Sequence, residues 1–225
     1  MKLSETELKL LKDSNVDEFL INWGRNNYRC FPWRYTFDPY RVAISELLLR
    51  RTRASQVIDS YIRITQRCDS MCSLASVGHN FIEDMVSHLG IKRRSALIAG
   101  AAEYICKNYN NKIPADSNLL RKIPGFGDYT ISAVRVFGFG LNDALIDANT
   151  VRIFSRILGI EICESLRKAH VLNPVYEMAL GSSDPVKFGY AILDLGAIVC
   201  KPAPECQVCP LNDMCSYSIH SKDKS

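Results

Sequence analysis

Four cysteines crowd into sixteen residues near the C-terminus, in the spacing Cys200-x5-Cys206-x2-Cys209-x5-Cys215. Thiolates this close together suit a zinc ion or an iron–sulfur cluster. Zinc ribbons usually carry two C-x2-C knuckles and only Cys206 and Cys209 form one here, so the spacing alone leaves both metals open. A second set of groups lies mid-chain, in Ile123-Pro124-Gly125-Phe126-Gly127-Asp128. Its proline stops a helix, and Gly125 and Gly127 permit a turn with positive φ. Such a turn leaves backbone N–H groups at the start of the next helix, where they and the helix dipole can hold a phosphate. An ordinary helix–turn–helix corner would use the same glycines. Tyr129 follows directly, and Asp147 comes eighteen residues later in Leu145-Ile146-Asp147-Ala148-Asn149-Thr150. A carboxylate opening a helix is ordinarily an N-cap. Brought back to the hairpin by the intervening helix, it would also line a pocket beside the phosphate clamp.

Two basic knots, Arg50, Arg51 and Arg53 and then Lys92, Arg93 and Arg94, stand at turn-like or helix-end positions. Each is a candidate face for a polyanion, and each could equally be a solvated surface.

The elements that must position these groups read as helices nearly throughout. Val16, Phe19, Leu20 and Trp23 recur at i, i+3, i+4 and i+7, predicting a helix that ends near Gly24. Asp38-Pro39 is a cap followed by proline at the first helical position. The helix it opens is apolar on much of its circumference through Val42, Ile44, Leu47, Leu48 and Leu49, and it carries Glu46, whose burial demands a reason. Further helices are predicted over 54–67, 80–88, 93–109, 116–122, 128–139, 148–158, 165–180 and 185–198, the last opened by Asp184-Pro185. Strand signals are few, so the fold class is all-α.

With 225 residues and 47% hydrophobic content, the chain is sized for one large domain or two small ones. A net charge of +4 is a mild pointer to a polyanionic partner. No apolar run approaches the roughly 18 residues of a membrane span, and the charged opening Met1-Lys2-Leu3-Ser4-Glu5 lacks the apolar core of a signal peptide. The expected setting is cytoplasmic and reducing. Disulfides are poorly kept there, so Cys30, Cys68, Cys72, Cys106 and Cys163 are expected as small buried apolar side chains.

The hairpin with its distant aspartate resembles the helix-hairpin-helix DNA glycosylases of the endonuclease III superfamily, and the likeness covers nearly the whole chain. Phe31-Pro32-Trp33-Arg34, Asp38-Pro39-Tyr40 and Ser45-Glu46-Leu47-Leu48-Leu49 resemble the N-terminal helices of the MutY branch. Leu193-Asp194-Leu195-Gly196-Ala197, leading into Cys200, resembles that branch's helix before its cluster. Tyr129 stands where the endonuclease III branch has lysine and MutY types have serine. Tyrosine there, with Asp147-Ala148-Asn149 and Leu48-Leu49-Arg50-Arg51-Thr52, is most similar to the thymine–DNA mismatch glycosylases. MutY usually shows paired glutamines in that last run, and its Leu-Gly-Tyr-Tyr is here Leu89-Gly90-Ile91-Lys92. The chain also has no room for MutY's further C-terminal domain.

The resemblance implies two helical domains with the active site in the cleft between them. A six-helix barrel with the hairpin would span 31–141. An iron–sulfur domain built from both termini, 1–30 and 142–225, would bind a [4Fe–4S] cluster through Cys200, Cys206, Cys209 and Cys215. The family's first cluster loop is one residue longer, and Lys201-Pro202-Ala203-Pro204-Glu205 offers DNA a single lysine. The implied activity is a monofunctional glycosylase of base excision repair, removing thymine, and uracil, opposite guanine. Asp147 would be the essential carboxylate, Asn149 would help hold it, and Tyr129, lacking an amine, would exclude the imine that leads to strand cleavage. Glu46 would bond the base or water. Arg51 would fill the gap left by the flipped base or contact a phosphate. Arg50, Gly125, Gly127, Lys92 and Arg93 complete the DNA-binding set. The partner would be mismatched double-stranded DNA, met by a monomer in a prokaryotic nucleoid. Two rival readings are a truncated MutY-type adenine glycosylase and a non-catalytic DNA-binding module.

Overall fold

The computed structural model of the chain describes residues 16–90, 93–159 and 182–222. Lys92, Cys163 and the helix predicted over 165–180 lie outside them. All regular structure among the described residues is helical. The chain divides into two compact units, Cys30–Leu141 and the segments on either side of it, Met1–Arg29 with Asn142–Ser225.

In the continuous unit, α2 (Pro39–Leu49) starts where Asp38 accepts a hydrogen bond from Tyr40 N at 3.0 Å. Its run from Val42 to Leu48 is wholly buried, Glu46 included. Helices α3 (Ala54–Arg67), α4 (Met71–Ser76), α5 (His79–Val86) and α6 (Arg94–Tyr109) follow, then the short α7 (Ser117–Leu120) and α8 (Asp128–Ala133). Sequence periodicity misses α4, because six residues are too few to show a helical repeat. The helix expected over 128–139 changes at Val134 into a π-helical turn, Val134–Gly138. That turn brings Gly138 against the backbone of Pro39, where a Cβ would lie 3.0 Å from the Pro39 Cα. The absent side chain allows the start of α2 to pack there.

The scattered cysteines correct the expectation of uniform burial. Cys68 is buried as expected, but Cys30 is exposed, and Cys72 of α4 forms a disulfide with Cys106 of α6. Compartment chemistry argued against such a bond. The packing of α4 on α6 puts the two Cα atoms 4.9 Å apart, within ordinary disulfide reach.

The discontinuous unit packs α1 (Val16–Gly24), α9 (Ala148–Leu158), α10 (Pro185–Ile198) and α11 (Ser216–Lys222) around Val16, Leu20, Phe154, Phe188, Ile192 and Leu195. Asp184 caps α10 by accepting from Lys187 N at 3.0 Å. Asp194, fully buried on α10, accepts from the backbone N of Arg29 at 2.9 Å and pairs with its guanidinium at 2.5 Å. A buried carboxylate requires such a partner. The pair ties the segment after α1 to α10.

Candidate active site

Asp147 is the N-cap of α9, as the bland reading of the sequence has it. Its Oδ1 accepts from Thr150 N at 2.8 Å and from Thr150 Oγ1 at 3.0 Å. Its Oδ2 is also engaged, accepting from Asn149 Nδ2 at 3.0 Å. Both oxygens are thus held, and the half-exposed carboxylate has one orientation. A fixed anion of this kind stabilises a developing positive charge without reorganising. The cap is thus the same carboxylate that the sequence singles out as a candidate for chemistry.

Asn149 is oriented in turn by Arg152, a residue that pattern reading passed over. Arg152 Nη2 donates to Asn149 Oδ1 and to Gly196 O, each at 2.8 Å, and its Nε donates to Cys200 O at 2.8 Å. One guanidinium therefore joins the carboxylate's neighbour to the first cysteine of the cluster motif. The i,i+3 spacing of Asn149 and Arg152 is the signal that could have found it. Gly196 is needed because a Cβ there would sit 2.6 Å from Asn149 Cβ.

One turn further along α9, Arg156 holds the cysteine loop. It donates to Lys201 O at 2.6 Å, Pro202 O at 2.7 Å and Cys200 Sγ at 3.3 Å, and lies over the Tyr217 ring. Among the described residues no three His, Cys, Asp or Glu side chains form a closed ligand set for one metal ion. The four thiols are still close enough to interact. The Cys209 thiol is pushed up to about 11 by burial, reinforced by the neighbouring Cys200, Cys215 and Cys206. Four soft sulfurs in one loop region are a donor set whose chemistry suits a zinc ion or an iron–sulfur cluster. Lys201, the one lysine of the loop, is paired with Glu205.

The hairpin lies in the other unit. Ile123-Pro124-Gly125-Phe126 closes through Phe126 N donating to Ile123 O at 3.1 Å, and Gly125 has φ +82. Proline second and a left-handed glycine third are the marks of a type II turn. Gly127 has an ordinary φ of −87, so only one glycine serves the backbone twist expected of both. A Cβ on Gly127 would meet nothing within 4 Å, which leaves the N-terminus of α8 open to a close-approaching group. Tyr129 is half-buried on the first turn of α8. Asp128, exposed beside it, is paired with Arg121.

A second turn of the same type ends α2. Arg50 has φ −56 and ψ 114, Arg51 has φ +52, and Thr52 N donates to Leu49 O at 3.1 Å. Arg51 occupies the position that favours glycine, and a left-handed non-glycine costs about 1–2 kcal/mol. Arg51 and Arg53 are exposed, as is Arg93 at the start of α6. Arg50 does more than offer charge. Its Nη1 donates to Gly125 O at 2.8 Å and braces the turn against the hairpin. Arg94 is buried. Burial, and then the nearby Arg50 charge, pull its guanidinium below the ordinary arginine value.

No family model matches the chain. A thymine-DNA glycosylase of Aeropyrum pernix is 32% identical over 206 residues, spanning 88% of this chain and 92% of that protein. The chain belongs to the helix-hairpin-helix DNA glycosylases. A thymine/uracil-DNA glycosylase of Pyrobaculum aerophilum is also 32% identical, over 88% of this chain and 89% of its own. The solved structure of a thermostable thymine-DNA glycosylase superposes with a TM-score of 0.83 at 27% identity, covering 94% of this chain and 98% of that one. This DNA glycosylase therefore matches such relatives over nearly their full lengths. No helix among its described residues is long and apolar enough to cross a membrane.

Proposed function

We propose that the chain is a monofunctional glycosylase that hydrolyses the N-glycosidic bond of thymine, and of uracil, opposite guanine in double-stranded DNA. The observation that carries this reading is the Asp147 carboxylate, held at both oxygens by Thr150 and Asn149. Cleavage of the bond from C1′ to the base builds positive charge on the sugar. Asp147 stabilises that charge and orients the attacking water, whose oxygen joins C1′ as the base leaves with the bonding electron pair. The proton the water gives up is balanced by the one the departing base gains. The products are free base and an abasic sugar. Tyr129 has no amine and forms no imine with the opened sugar, so the strand stays intact.

A base inside a duplex is out of reach, and turning it out costs roughly a few kcal/mol, less at a mispair. Arg51 fills the vacated stack and bonds the guanine left behind, being planar and rich in donors. Gly125, Gly127, Arg50, Arg93 and Lys92 track the phosphates, and buried Glu46 bonds the base or the water. Cys200, Cys206, Cys209 and Cys215 hold a [4Fe–4S] cluster in the unit built from both ends of the chain. The cluster braces that unit and takes no part in bond cleavage. The enzyme works as a monomer on the DNA of a prokaryotic nucleoid.

Base release from T·G, U·G, A·G and A·8-oxoguanine duplexes tests the reading. Release from T·G and U·G is expected. Release confined to the adenine duplexes would overturn it in favour of the MutY-type enzyme. Asp147→Asn, which keeps the helix cap, should slow release by about a thousandfold or more while mismatched DNA is still bound. Unchanged release would remove Asp147 from the chemistry. Borohydride should trap no adduct with the native chain and should trap one with Tyr129→Lys.

A further inference from the structure

Arg94 is only 2% exposed and heads the largest fully buried side chains among the described residues. It makes no ion pair with any described residue, and its Nε is buried without a hydrogen-bond partner. A buried cation without a counter-charge is costly and needs a structural reason. Its donors supply one. Nη2 donates to Arg50 O at 2.7 Å and to Thr52 Oγ1 at 2.5 Å, and Nη1 reaches Leu89 O at 3.4 Å. Two of the three acceptors belong to the turn that presents Arg51.

The Arg50 carbonyl is the decisive one. Types I and II differ by a flip of the peptide joining the two central residues, which here carries that carbonyl. Type I suits most residues, whereas type II calls for glycine or asparagine third. An Arg50-Arg51 pair left to itself would take type I, with Arg51 near φ −90°. Arg94, 44 residues along the chain, holds the carbonyl in the opposite orientation. Strained backbone of this sort persists only where its surroundings over-determine it.

We propose that Arg94 is a positioning residue that locks the Leu49–Thr52 turn in its type II form and so aims Arg51 into the gap left by the expelled base. The proposal rests on the wedge reading of Arg51 given above. Arg94 touches neither base nor sugar. Its effect is confined to the opening of a paired target.

The test uses the full-length enzyme and a T·G duplex with 2-aminopurine beside the mismatch, whose fluorescence rises when the stack opens. Single-turnover thymine release is measured on the same duplex and on one with thymine opposite a tetrahydrofuran abasic analogue, where there is no partner to part from. Arg51→Ala sets the scale. Arg94→Lys, whose ammonium ends one atom short of the Nη2 position that serves both acceptors, and Thr52→Val, which deletes one acceptor outside the core, are compared with it.

Both are expected to lose most of the fluorescence rise. Release from T·G should fall roughly tenfold to a hundredfold for Arg94→Lys and several-fold for Thr52→Val. Both deficits should shrink opposite the abasic analogue, a pattern that mere loss of stability would not produce. If Arg51→Ala keeps the full rise, the wedge reading fails and this proposal with it. If Arg51→Ala loses the rise while Arg94→Lys and Thr52→Val keep it, the wedge stands and the positioning role is overturned. Equal losses on both duplexes would likewise overturn it, leaving Arg94 a residue of the fold alone.

Discussion

Two type II turns stand side by side in the continuous unit, joined by the hydrogen bond from Arg50 Nη1 to Gly125 O. Ile123-Pro124-Gly125-Phe126 adopts its shape from local chemistry, with proline and glycine at the positions that prefer them. Leu49-Arg50-Arg51-Thr52 has neither. It is forced into the same shape by a guanidinium from α6. The first turn shows backbone to its surroundings and can use small residues. The second must present a long cationic side chain, so its conformation has to be imposed from elsewhere in the fold.

Four changes would sharpen or break that contrast. The largest effect is expected from reducing the Cys72–Cys106 bond, which closes a loop with a sequence separation of 34 and anchors α6, the helix that bears Arg94. Loop-closure entropy predicts a loss of about 3–4 kcal/mol, read as a lower denaturation midpoint in dithiothreitol. An unchanged midpoint would show that packing alone fixes α6. Gly125→Ala comes next. It puts a Cβ at φ +82 and 3.2 Å from Leu47 Cδ2, and should cost about 1–3 kcal/mol by thermal melting.

Arg51→Gly should have the opposite sign. Relief of the left-handed strain is expected to stabilise by up to about 1 kcal/mol, while the base-opening signal is lost. If Arg51→Gly destabilises instead, the second turn is not strained and the contrast fails. The smallest change is Asp128→Asn. Asp128 places a negative charge beside the open start of α8, and its exposed pairing with Arg121 offsets it only in part. Removing the charge should tighten duplex binding a few-fold at low salt, equally for all sequences, as titrations against ionic strength would show.

The same contrast explains what was legible in the sequence. Pro124-Gly125 announces its turn, and Asp38 and Asp184 announce their helices, because each acts on backbone within three residues of itself. Asp147 was readable as a cap, and its place eighteen residues after Tyr129 marked it as the candidate carboxylate. The roles of Arg94 and Arg152 were not readable. Their partners are mainly backbone carbonyls, 44 to 48 residues away in three of the bonds, and a carbonyl leaves no mark on residue type. The disulfide was hidden because the sequence reading expected a reducing compartment, where such bonds are poorly kept. Gly127 was over-read: glycine there keeps space open and does not twist the backbone.

The ion pair between Arg29 and Asp194 bears on the order in which the molecule can be made. Its partners are 165 residues apart, so at 5–20 residues per second a ribosome adds the second roughly 10–30 s after the first. Cys30–Leu141, being continuous, can close in that interval and form both turns. The unit around Asp147 must wait, because its core draws on Val16 and Leu20 from one side of the interruption and on Leu195 and Leu211 from the other. A nascent or prematurely terminated chain would thus display the hairpin before it owns a fixed carboxylate. On the reading of Asp147 proposed above, it could hold DNA but release no base from it, and the capacity to create abasic sites would arrive only once Leu195 and Leu211 had been added.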